Sequence, residues 1–369
     1  MSEPADRKVP KFPFRPGGRV SDSRPQHDVT TIFAPLVFNV LAFHAFSAAV
    51  GLGLPDALAD GSLRTKELAA ATGADEDSLL RLLRTLSAFG VVHRDGADSW
   101  SLACAGDQLR DGAPEGPADF IRFYGNPLTW RAFGAMEESV RTGTAAFEQI
   151  GGEAFYDYQK RDTSYARSFN GAMRAGQEQL LPLLVDGYDW GAVRHLVDVG
   201  GGDGSTLATI AAAHPDLRGT VMDTEDVVRA VSGVVSETGV SERCSGTVGD
   251  FLAGVPAGGD AYLLKNVLFE WDDASCVKIL RNCRESMTEE GRVLIVTALM
   301  PEWDAEDPVG LMFAAINDIQ LMSLGAGRER GEKEYSILFS ASGLRLHRII
   351  PLPPLPNYHL IEAVRVCSG

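Results

Sequence analysis

The segment that most restricts the fold lies near the middle of the chain, where an apolar run ends in a cluster of glycines. Residues 196–199 read Leu-Val-Asp-Val, and four of the next five residues are glycine. A helical pattern follows over residues 205–214, and Pro215 closes it. Glycine lets the backbone turn sharply and lets a ligand approach the N-terminus of the following helix. The segment therefore predicts a strand, a ligand-binding turn and a helix of an α/β protein.

Acidic residues around this turn restrict the ligand that it could hold. A dinucleotide-binding G-x-G-x-x-G pattern would place its third glycine at residue 205, where the chain has Ser205. Asp198 and Asp203 would also bring negative charge next to a pyrophosphate. We therefore expect a cationic ligand rather than a diphosphate.

Short apolar runs alternate with helical segments from His195 onward. We predict strands over residues 196–200, 220–223, 246–250, 261–264, 293–297, 344–350 and 359–366. Strands that alternate with helices indicate a doubly wound, mostly parallel sheet. Four prolines between residues 351 and 356 separate the last two strands and favour an antiparallel pair at the end of the sheet. The fold class is therefore α/β.

Carboxylates follow the second and third of these strands. Asp223 ends one strand, 25 residues after Asp198, and Asp250 ends the next, followed by Phe251. An acid at about that distance binds ribose hydroxyls in nucleotide sites, and an aromatic ring offers a face to adenine. Either carboxylate alone could equally be a helix cap or a loop acid. Two of them at the ends of consecutive strands predict a nucleoside site.

The N-terminal third contains a second pattern, two short helices followed by a hairpin. Helical residues 65–71 and 76–89 flank a turn, and residues 91–93 and 100–102 surround an Asp-Gly turn. This winged-helix pattern suits either DNA binding or a scaffold. Acidic residues open the second helix, and 34 Lys and Arg against 50 Asp and Glu give the chain a net charge of −16. Because that charge opposes binding to phosphates, we predict a scaffold and no nucleic-acid partner.

An apolar segment, residues 29–54, precedes this pattern. It is too apolar for a lone surface helix, since a helix that is hydrophobic on most sides must be buried. Asn39, His44 and Gly51 interrupt its longest apolar stretch, so we expect packing between the subunits of a homodimer and no membrane span. The beginning of the chain has no apolar run of the signal-peptide type. The five cysteines form no C-x-x-C pair, which favours a reducing cytoplasm and indicates no metal site.

These patterns divide the chain into four regions. Residues 1–28, rich in proline and charge, are expected to form a flexible tail, and residues 29–112 a mostly helical, winged-helix-like dimerisation domain. Residues 113–189 are helical and aromatic, and we expect them to link the domains and to line the substrate cleft. Residues 190–369 are expected to form the α/β cofactor-binding domain.

Four separated stretches resemble the motifs of one enzyme family: LVDVGGGDGSTLATIAAAHPDLRGTVMD, GDF, AYLLKNVLFEWDDASCVKILRNC and GRERGEKEYSILFSASGL, in that order. With them, residues 30–367 resemble the small-molecule methyltransferases of the plant caffeate and bacterial natural-product O-methyltransferase family, which use S-adenosylmethionine. The resemblance implies a Rossmann-like methyltransferase sheet, a homodimer and a small aromatic acceptor, expected to be phenolic. It also implies a set of cofactor-binding residues: Gly200 and Gly202 at the methionine portion, Asp223 at the ribose, Asp250 and Phe251 at the adenine, and Lys265 at a polar edge. Asp198, before the turn, is a further cofactor-binding candidate.

Substrate-binding residues are expected in the aromatic region and beside the cofactor site. The stretch FNGAM resembles the family's helix over the substrate. The expected residues are Phe155, Tyr156, Asn170, Met173, Trp271, Asp318 and Met322.

The chain departs from the family at the catalytic base. Members that methylate oxygen have a His before an acidic residue and a Trp, whereas this chain has Phe269 before Glu270 and Trp271. Of the two Glu residues that orient that His, the first position holds Thr297 and only Glu329 matches the second. Phenylalanine cannot accept a proton. The catalytic candidates are therefore Phe269 as an apolar wall, Glu329, and Glu270, which is more simply an outward neighbour of Phe269.

An apolar side chain beside the methyl group suits a soft carbon nucleophile better than an imidazole does. We therefore expect ring C-methylation of a phenol, ortho or para to the hydroxyl, narrowly ahead of O-methylation of a phenol that ionises unaided. A third reading is a relative that binds the cofactor but catalyses hydroxylation or rearrangement. A fourth is a winged-helix regulator with a ligand pocket, which the charge of −16 opposes.

Overall fold

A computed structural model describes residues 29–113, 117–177, 180–302, 307–325, 327–355 and 357–366. These residues form two units, one from 29 to 177 and one from 180 to 366. The expected N-terminal tail, residues 1–28, lies outside the described residues.

The first unit is mostly helical. Its helices are α1 (Val29–Gly51), α2 (Leu54–Ala57), α3 (Thr65–Thr72), α4 (Glu76–Ala88), α5 (Cys104–Asp107), α6 (Ala118–Gly125), α7 (Pro127–Gly134), α8 (Met136–Thr142), α9 (Ala146–Gly151), α10 (Phe155–Arg161) and α11 (Thr163–Gln177). Its strands are β1 (Leu63–Arg64), β2 (Val92–Asp95) and β3 (Ser99–Leu102), paired antiparallel in the order β1-β3-β2. Helices α3 and α4 with the β2–β3 hairpin confirm the predicted winged-helix-like pattern.

Helix α4 shows how the sequence builds this unit. Asp75 caps its N-terminus, because its side chain accepts a hydrogen bond from the Ser78 N–H at 2.9 Å. Leu79, Leu83 and Leu86 recur at helical spacing and are at most 2% exposed. They pack in a core shared with α1, α2, α3 and the hairpin.

Among the residues that the structure describes, nothing covers an apolar surface of helix α1. Its 18-residue stretch Ala34–Gly51 is long and apolar enough to cross a membrane, and 17% of it is buried. The exposed residues, 41–68% accessible, are Leu36, Val37, Phe38, Val40 and Leu41. An apolar surface of this kind marks a place where a partner binds.

The second unit is built on a seven-stranded sheet. Its strands are β4 (His195–Val199), β5 (Arg218–Asp223), β6 (Cys244–Val248), β7 (Ala261–Lys265), β8 (Arg292–Ala298), β9 (Leu344–Pro351) and β10 (Tyr358–Arg365), in the order β6-β5-β4-β7-β8-β10-β9. Its helices are α12 (Leu180–Gly187), α13 (Ser205–Ala213), α14 (Glu225–Val228), α15 (Val231–Glu237), α16 (Asp273–Ser286), α17 (Pro308–Leu324) and α18 (Glu332–Ser342). Neighbours from β6 to β8 are parallel, and β10 is antiparallel to β8 and β9. Every predicted strand is present, which confirms the doubly wound fold with its antiparallel end.

Helices cover both faces of this sheet. Leu196 on β4 packs on one face with residues of α12 and α13, and Val197 and Val199 pack on the other with residues of α16 and α18. A parallel strand with both faces covered requires apolar side chains along its length, which explains the Leu-Val-Asp-Val run. Asp198, with no exposed surface, is the exception in that run.

Helix α12 belongs to the sheet layer, so the region that we predicted as a linker, residues 113–189, divides between the two units. Leu180 and Leu184 are at most 1% exposed and pack in one core with Leu207 of α13. The physical reason is that the apolar side of α12 is buried against the sheet rather than within the first unit. The composition of residues 180–189 does not indicate which of the two units α12 packs in.

Candidate active site

The strand order reverses at β4. The chain continues from β4 to β5 and β6 on one side, and then to β7 and β8 on the other. Ligands of open α/β sheets bind outside the carboxyl ends of the strands at such a reversal. The glycine-rich turn, Asp223, Asp250 and Lys265 end or follow strands at this edge.

The turn after β4 requires glycine at defined positions. Gly200 and Gly202 have φ angles of +67° and +64°, in the left-handed region that other residues rarely adopt. The Gly200 N–H donates to the Met222 carbonyl at 2.8 Å, and the Gly202 N–H donates to Asp223 Oδ2 at 2.9 Å. A Cβ at Gly200 would lie 2.9 Å from Cγ2 of Val267, whereas one at Gly202 would meet open space. The turn is thus fixed to β5 and stays open to a ligand at Gly202.

Two opposite charges are buried next to this turn. Asp198 is fully buried and Lys265 is 7% exposed. Burial raises the pKa of Asp198 to about 7 while Lys265 opposes the rise, and burial lowers the pKa of Lys265 while Asp198 opposes the fall. A Cβ at Gly201 would lie 2.5 Å from Asp198 Cγ, so the carboxyl group packs directly against the turn. Within the described residues neither carboxylate oxygen of Asp198 has a hydrogen-bond partner, which fits a site for a positively charged ligand.

Both carboxylate oxygens of Asp223 accept hydrogen bonds from the backbone, one of them from the glycine-rich turn. Its Oδ2 accepts from the Gly202 N–H, and its Oδ1 accepts from the Thr224 N–H at 2.7 Å. A carboxylate can accept about four hydrogen bonds, so capacity remains for ligand hydroxyl groups. The arrangement fits the predicted ribose contact.

Asp250 and Phe251 follow β6 at the same edge. Asp250 is exposed, and its Oδ1 accepts from the Leu252 N–H at 2.8 Å. The ring of Phe251 is half-buried and meets the ring of Trp271 edge to face, with centroids 5.5 Å apart. An acceptor and an aromatic surface side by side fit an adenine, as the sequence predicts.

A buried arginine fixes the segment that carries Phe269. This segment is a short 3₁₀ turn, Leu268–Glu270, between β7 and α16. Arg330 has no exposed surface and donates to the carbonyls of Leu268 and Trp271 and to Asp273 Oδ1, at 2.7–2.9 Å. One guanidinium thus joins the loop before α16 to the loop before α18.

The backbone of Phe269 contacts the two residues that precede Glu329. The Arg328 N–H donates to the Phe269 carbonyl at 2.7 Å, and a Cβ at Gly327 would collide with that carbonyl. Phe269 and its neighbour Glu270 are both half-buried. The segments of two catalytic candidates, Phe269 and Glu329, therefore meet at one place.

Two consecutive residues of α17 hold Glu329, which is 4% exposed. The Asn317 side-chain amide donates to Glu329 Oε1, and Asp318 Oδ1 accepts from the Glu329 N–H at 2.8 Å. Glu329 Oε2 has no hydrogen-bond partner in the part of the chain that the structure describes. Burial raises the pKa of Glu329 to about 7; the Asn317 hydrogen bond opposes the rise and the charge of Asp318 adds to it. A carboxyl group of this pKa can exchange a proton near neutral pH.

Thr297 lies at the position where the family resemblance expects a Glu. It is 1% exposed on β8 and is paired with His359 of β10. A threonine hydroxyl is no proton acceptor at neutral pH. Of the two family positions that orient the missing His, only Glu329 therefore carries a carboxylate.

The predicted substrate residues of the first unit differ in exposure. Phe155 is 7% exposed, and its ring lies 5.1–6.3 Å from those of Phe123, Phe147 and Phe169. Tyr156, the next residue, is 40% exposed. Phe155 is thus part of an aromatic core, whereas Tyr156 presents a surface.

The other predicted substrate residues lie on α11 and α17 and in the loop before α16. Asn170 and Met173 are three residues apart on α11, exposed and half-buried respectively. Trp271 packs on Phe251, while Asp318 binds the Glu329 backbone and Met322 is half-buried one turn further along α17. Their contacts with a substrate stay predictions.

Sequence reasoning missed Asn317 and Arg330. Arg330 stands inside the GRER motif, but its partners lie 57–62 residues earlier in the chain. Asn317 precedes Asp318 and belongs to no motif that we recognised. Among the residues that the structure describes, no group of three His, Cys, Asp or Glu side chains could hold a metal ion.

Known proteins share this architecture. Residues 133–345 match the O-methyltransferase domain, and residues 35–109 match the O-methyltransferase dimerisation domain. The chain is 34% identical over 333 residues to O-demethylpuromycin-O-methyltransferase of Streptomyces alboniger (90% of this chain, 88% of the relative), and 34% identical over 308 residues to phenazine-1-carboxylate N-methyltransferase of Pseudomonas aeruginosa (83% and 89%). The crystal structure of an O-methyltransferase from neocarzinostatin biosynthesis, NcsB1, in complex with S-adenosylmethionine and 2-hydroxy-5-methyl naphthoic acid, aligns with a TM-score of 0.74 at 32% identity, over 87% of this chain and 95% of that chain.

The edge of the sheet fits the S-adenosylmethionine that is bound in NcsB1. S-adenosylmethionine supplies a methyl group on a positively charged sulfonium. The acids around the turn, and the buried Asp198 carboxylate among them, provide negative charge where such a ligand would lie. The protein is an enzyme that uses S-adenosylmethionine to methylate small acceptors, and by its two matching domains and its relatives the chain belongs to the O-methyltransferase family.

Proposed function

We propose that the enzyme methylates a hydroxyl group of a small aromatic natural product, and that Glu329 accepts the proton of that hydroxyl. One observation carries the proposal: Glu329 is buried beside the Phe269 segment, and its Oε2 has no hydrogen-bond partner in the described chain. The names of the O-methylating relatives support the reaction class.

Methyl transfer from a sulfonium is an in-line displacement, so the protein must position the acceptor and free its nucleophilic atom of a proton. Phe269 cannot take that proton. Glu329, with its pKa raised to about 7, is partly ionised at neutral pH and is closer in pKa to a phenol than an ordinary carboxylate is. A positioned base of this kind contributes about 10²- to 10⁴-fold to a rate.

Ring C-methylation, which the sequence ranks first, is the second candidate, and Phe269 favours it. A ring carbon ortho or para to a hydroxyl is a soft nucleophile that needs no imidazole beside the methyl group. The two named relatives are an O-methyltransferase and an N-methyltransferase. We therefore put O-methylation first.

The residue roles follow from the same proposal. We propose that Asp198, Gly200, Gly202, Asp223, Asp250, Phe251 and Lys265 form the cofactor site. Phe155, Tyr156, Asn170, Met173, Trp271, Asp318 and Met322 would contact the acceptor.

We further propose a cytoplasmic homodimer that binds neither nucleic acid nor membrane. The exposed apolar side chains of α1 lie in the stretch that matches the dimerisation domain. A net charge of −16 opposes binding to anionic lipids and phosphates. The dimerisation domain would extend over residues 29–112.

The deciding experiment is incubation with methyl-labelled S-adenosylmethionine and a panel of hydroxynaphthoic acids, hydroxyphenazines and aromatic amines, with NMR to place the methyl group. We expect methyl ethers from phenols. A methyl group on a ring carbon of the fastest acceptor would select the second candidate. Cofactor binding without methyl transfer, together with a hydroxylated or rearranged product, would select the third reading of the sequence.

A further inference from the structure

We propose that Asn317 is a positioning residue for proton removal: its amide holds Oε1 of Glu329 and leaves Oε2 to accept the proton of the acceptor hydroxyl. This inference rests on the proposed O-methylation and deepens it. No motif or resemblance assigned a role to Asn317. In the step itself the acceptor O–H bond breaks, the electron pair stays on the acceptor oxygen, and the proton bonds to Oε2.

The geometry separates the two oxygens of one carboxylate. Oε1 accepts from the Asn317 amide, and the Glu329 N–H donates to Asp318 Oδ1 at 2.8 Å. Adjacent residues of one helix thus fix the backbone and the side chain of Glu329. Oε2 is buried without a hydrogen-bond partner among the described residues, and a buried acceptor of this kind is costly unless a ligand or water satisfies it.

The position of Asn317 also explains how the chain functions with Phe269. When a carboxylate orients an imidazole, the hydrogen bond between them also fixes the orientation of the carboxylate. With phenylalanine at residue 269, an imidazole no longer fixes Glu329, and the neutral amide of Asn317 supplies a donor from α17 instead. A neutral donor stabilises the ionised carboxylate, but unlike a cation it forms no ion pair with the carboxylate that is to accept the proton.

Four ionisable groups interact electrostatically with Glu329: Asp318 on α17, Arg330 in the following loop, Tyr335 on α18 and Tyr358 on β10. Glu270 lies on the Phe269 segment, whose backbone contacts Arg328. Burial raises the pKa of Tyr358 to about 12, and the charge of Glu329 adds to the rise, so this tyrosine stays protonated when the carboxylate titrates. A titration near neutral pH therefore belongs to Glu329 rather than to Tyr358.

The test compares wild type with Asn317→Leu, which removes the amide at similar volume, and Asn317→Asp, which replaces it by a like charge. Ser323→Ala is the matched control, because Ser323 is a buried polar residue of α17 whose hydroxyl donates to the Ile319 carbonyl at 2.9 Å. The direct readout is the titration of Glu329 followed by ¹³C NMR on protein labelled at the glutamate Cδ, with Glu329→Gln to assign the signal. The second readout is kcat/KM against pH for the fastest phenol of the panel and for a less acidic phenol.

We expect the Glu329 midpoint to rise in Asn317→Leu and to rise further in Asn317→Asp, because a donor to the charged form is lost and then replaced by a repelling charge. The rising limb of kcat/KM should move to higher pH in step, with a loss of about 10-fold or more at neutral pH that is larger for the less acidic phenol. Ser323→Ala should change neither the NMR midpoint of Glu329 nor the pH dependence of kcat/KM. An unshifted NMR midpoint in Asn317→Leu, or a rate loss equal at every pH and for both phenols, would overturn the proposal. If no phenol is methylated, the proposed O-methylation fails, whereas the NMR titration still decides whether Asn317 controls Glu329.

Discussion

At the scale of single residues, Glu329 is placed where it costs stability. Its pKa rises from the ordinary 4.5 to about 7, chiefly because of burial, so the folded protein binds the proton more tightly than the unfolded chain does. Stability associated with this group is therefore complete below about pH 4.5 and falls as the pH rises towards 7. Cores without a catalytic task avoid such a group, since a neutral side chain of equal size carries no such cost.

We accordingly predict opposite effects of Glu329→Gln on stability and activity. At pH 8 the variant should unfold with a free energy about 1–3 kcal/mol higher than wild type, and this gain should vanish near pH 4. Methyl transfer to a phenol should fall about 10²-fold or more. Urea denaturation at the two pH values and initial rates measure the two effects. A variant that is less stable at pH 8 would show that Glu329 is a structural carboxylate.

Asp223 is the residue on which the turn and the cofactor proposal both depend. Asp223→Ala should weaken the binding of S-adenosylhomocysteine about 10- to 100-fold, because charge-assisted hydrogen bonds of about 1.5–3 kcal/mol are lost. Titration calorimetry measures the affinity. Asp226→Ala is the control, since the side chain of Asp226 is 90% exposed and pairs with Arg229 on α14. Equal affinities in wild type and a folded Asp223→Ala protein would remove Asp223 from the site.

The sequence predicts individual residues where a strand end or a motif fixes their position. Asp223, Asp250 and Lys265 were predictable because parallel strands bring their carboxyl ends to one edge. The pairing of Asn317 with Glu329 was not, because it joins the middle of helix α17 to a loop and depends on how that loop folds back. A single polar contact between distant residues produces no periodic pattern in the sequence.

At the scale of elements, Arg330 joins the loops before α16 and α18. Arg330→Leu removes the guanidinium donor from the carbonyls of Leu268 and Trp271 and from Asp273, and we expect the free energy of unfolding to fall by about 2–4 kcal/mol. Chemical denaturation measures the loss. Arg281→Leu on α16 is the control, because Arg281 is exposed and makes one long hydrogen bond to the Ala341 carbonyl at 3.3 Å. If both variants lose the same stability, the buried network does not hold the Phe269 segment.

Element boundaries were predictable where the pattern has a period. All strands of the large sheet lie within two residues of their predicted positions, because strands covered on both faces are continuous apolar runs. Helix α12 was not assigned to the sheet layer, because its apolar side chains would suit either unit. Apolar composition indicates that a helix is buried but does not say against which layer.

At the scale of the whole molecule, two opposing forces act on association. A net charge of −16 makes copies of the chain repel one another, and salt screens that repulsion. The exposed apolar side chains of α1 favour association, since burial of apolar surface gains about 25 cal/mol per Å². Stable dimers therefore require that the apolar contribution exceed the repulsion, and added salt should tighten them.

The last prediction tests that balance with the double variant Phe38→Glu with Leu41→Glu, two side chains that are 68% and 59% exposed on α1. Removing their burial and adding like charges to both copies should raise the dimer dissociation constant by at least about 100-fold. Sedimentation equilibrium measures this constant. Val140→Glu on α8 is the control, because Val140 is 70% exposed and lies outside the stretch that matches the dimerisation domain. A monomeric wild type would contradict a dimer, and wild type that sediments with lipid vesicles while the double variant does not would show that α1 binds membrane instead.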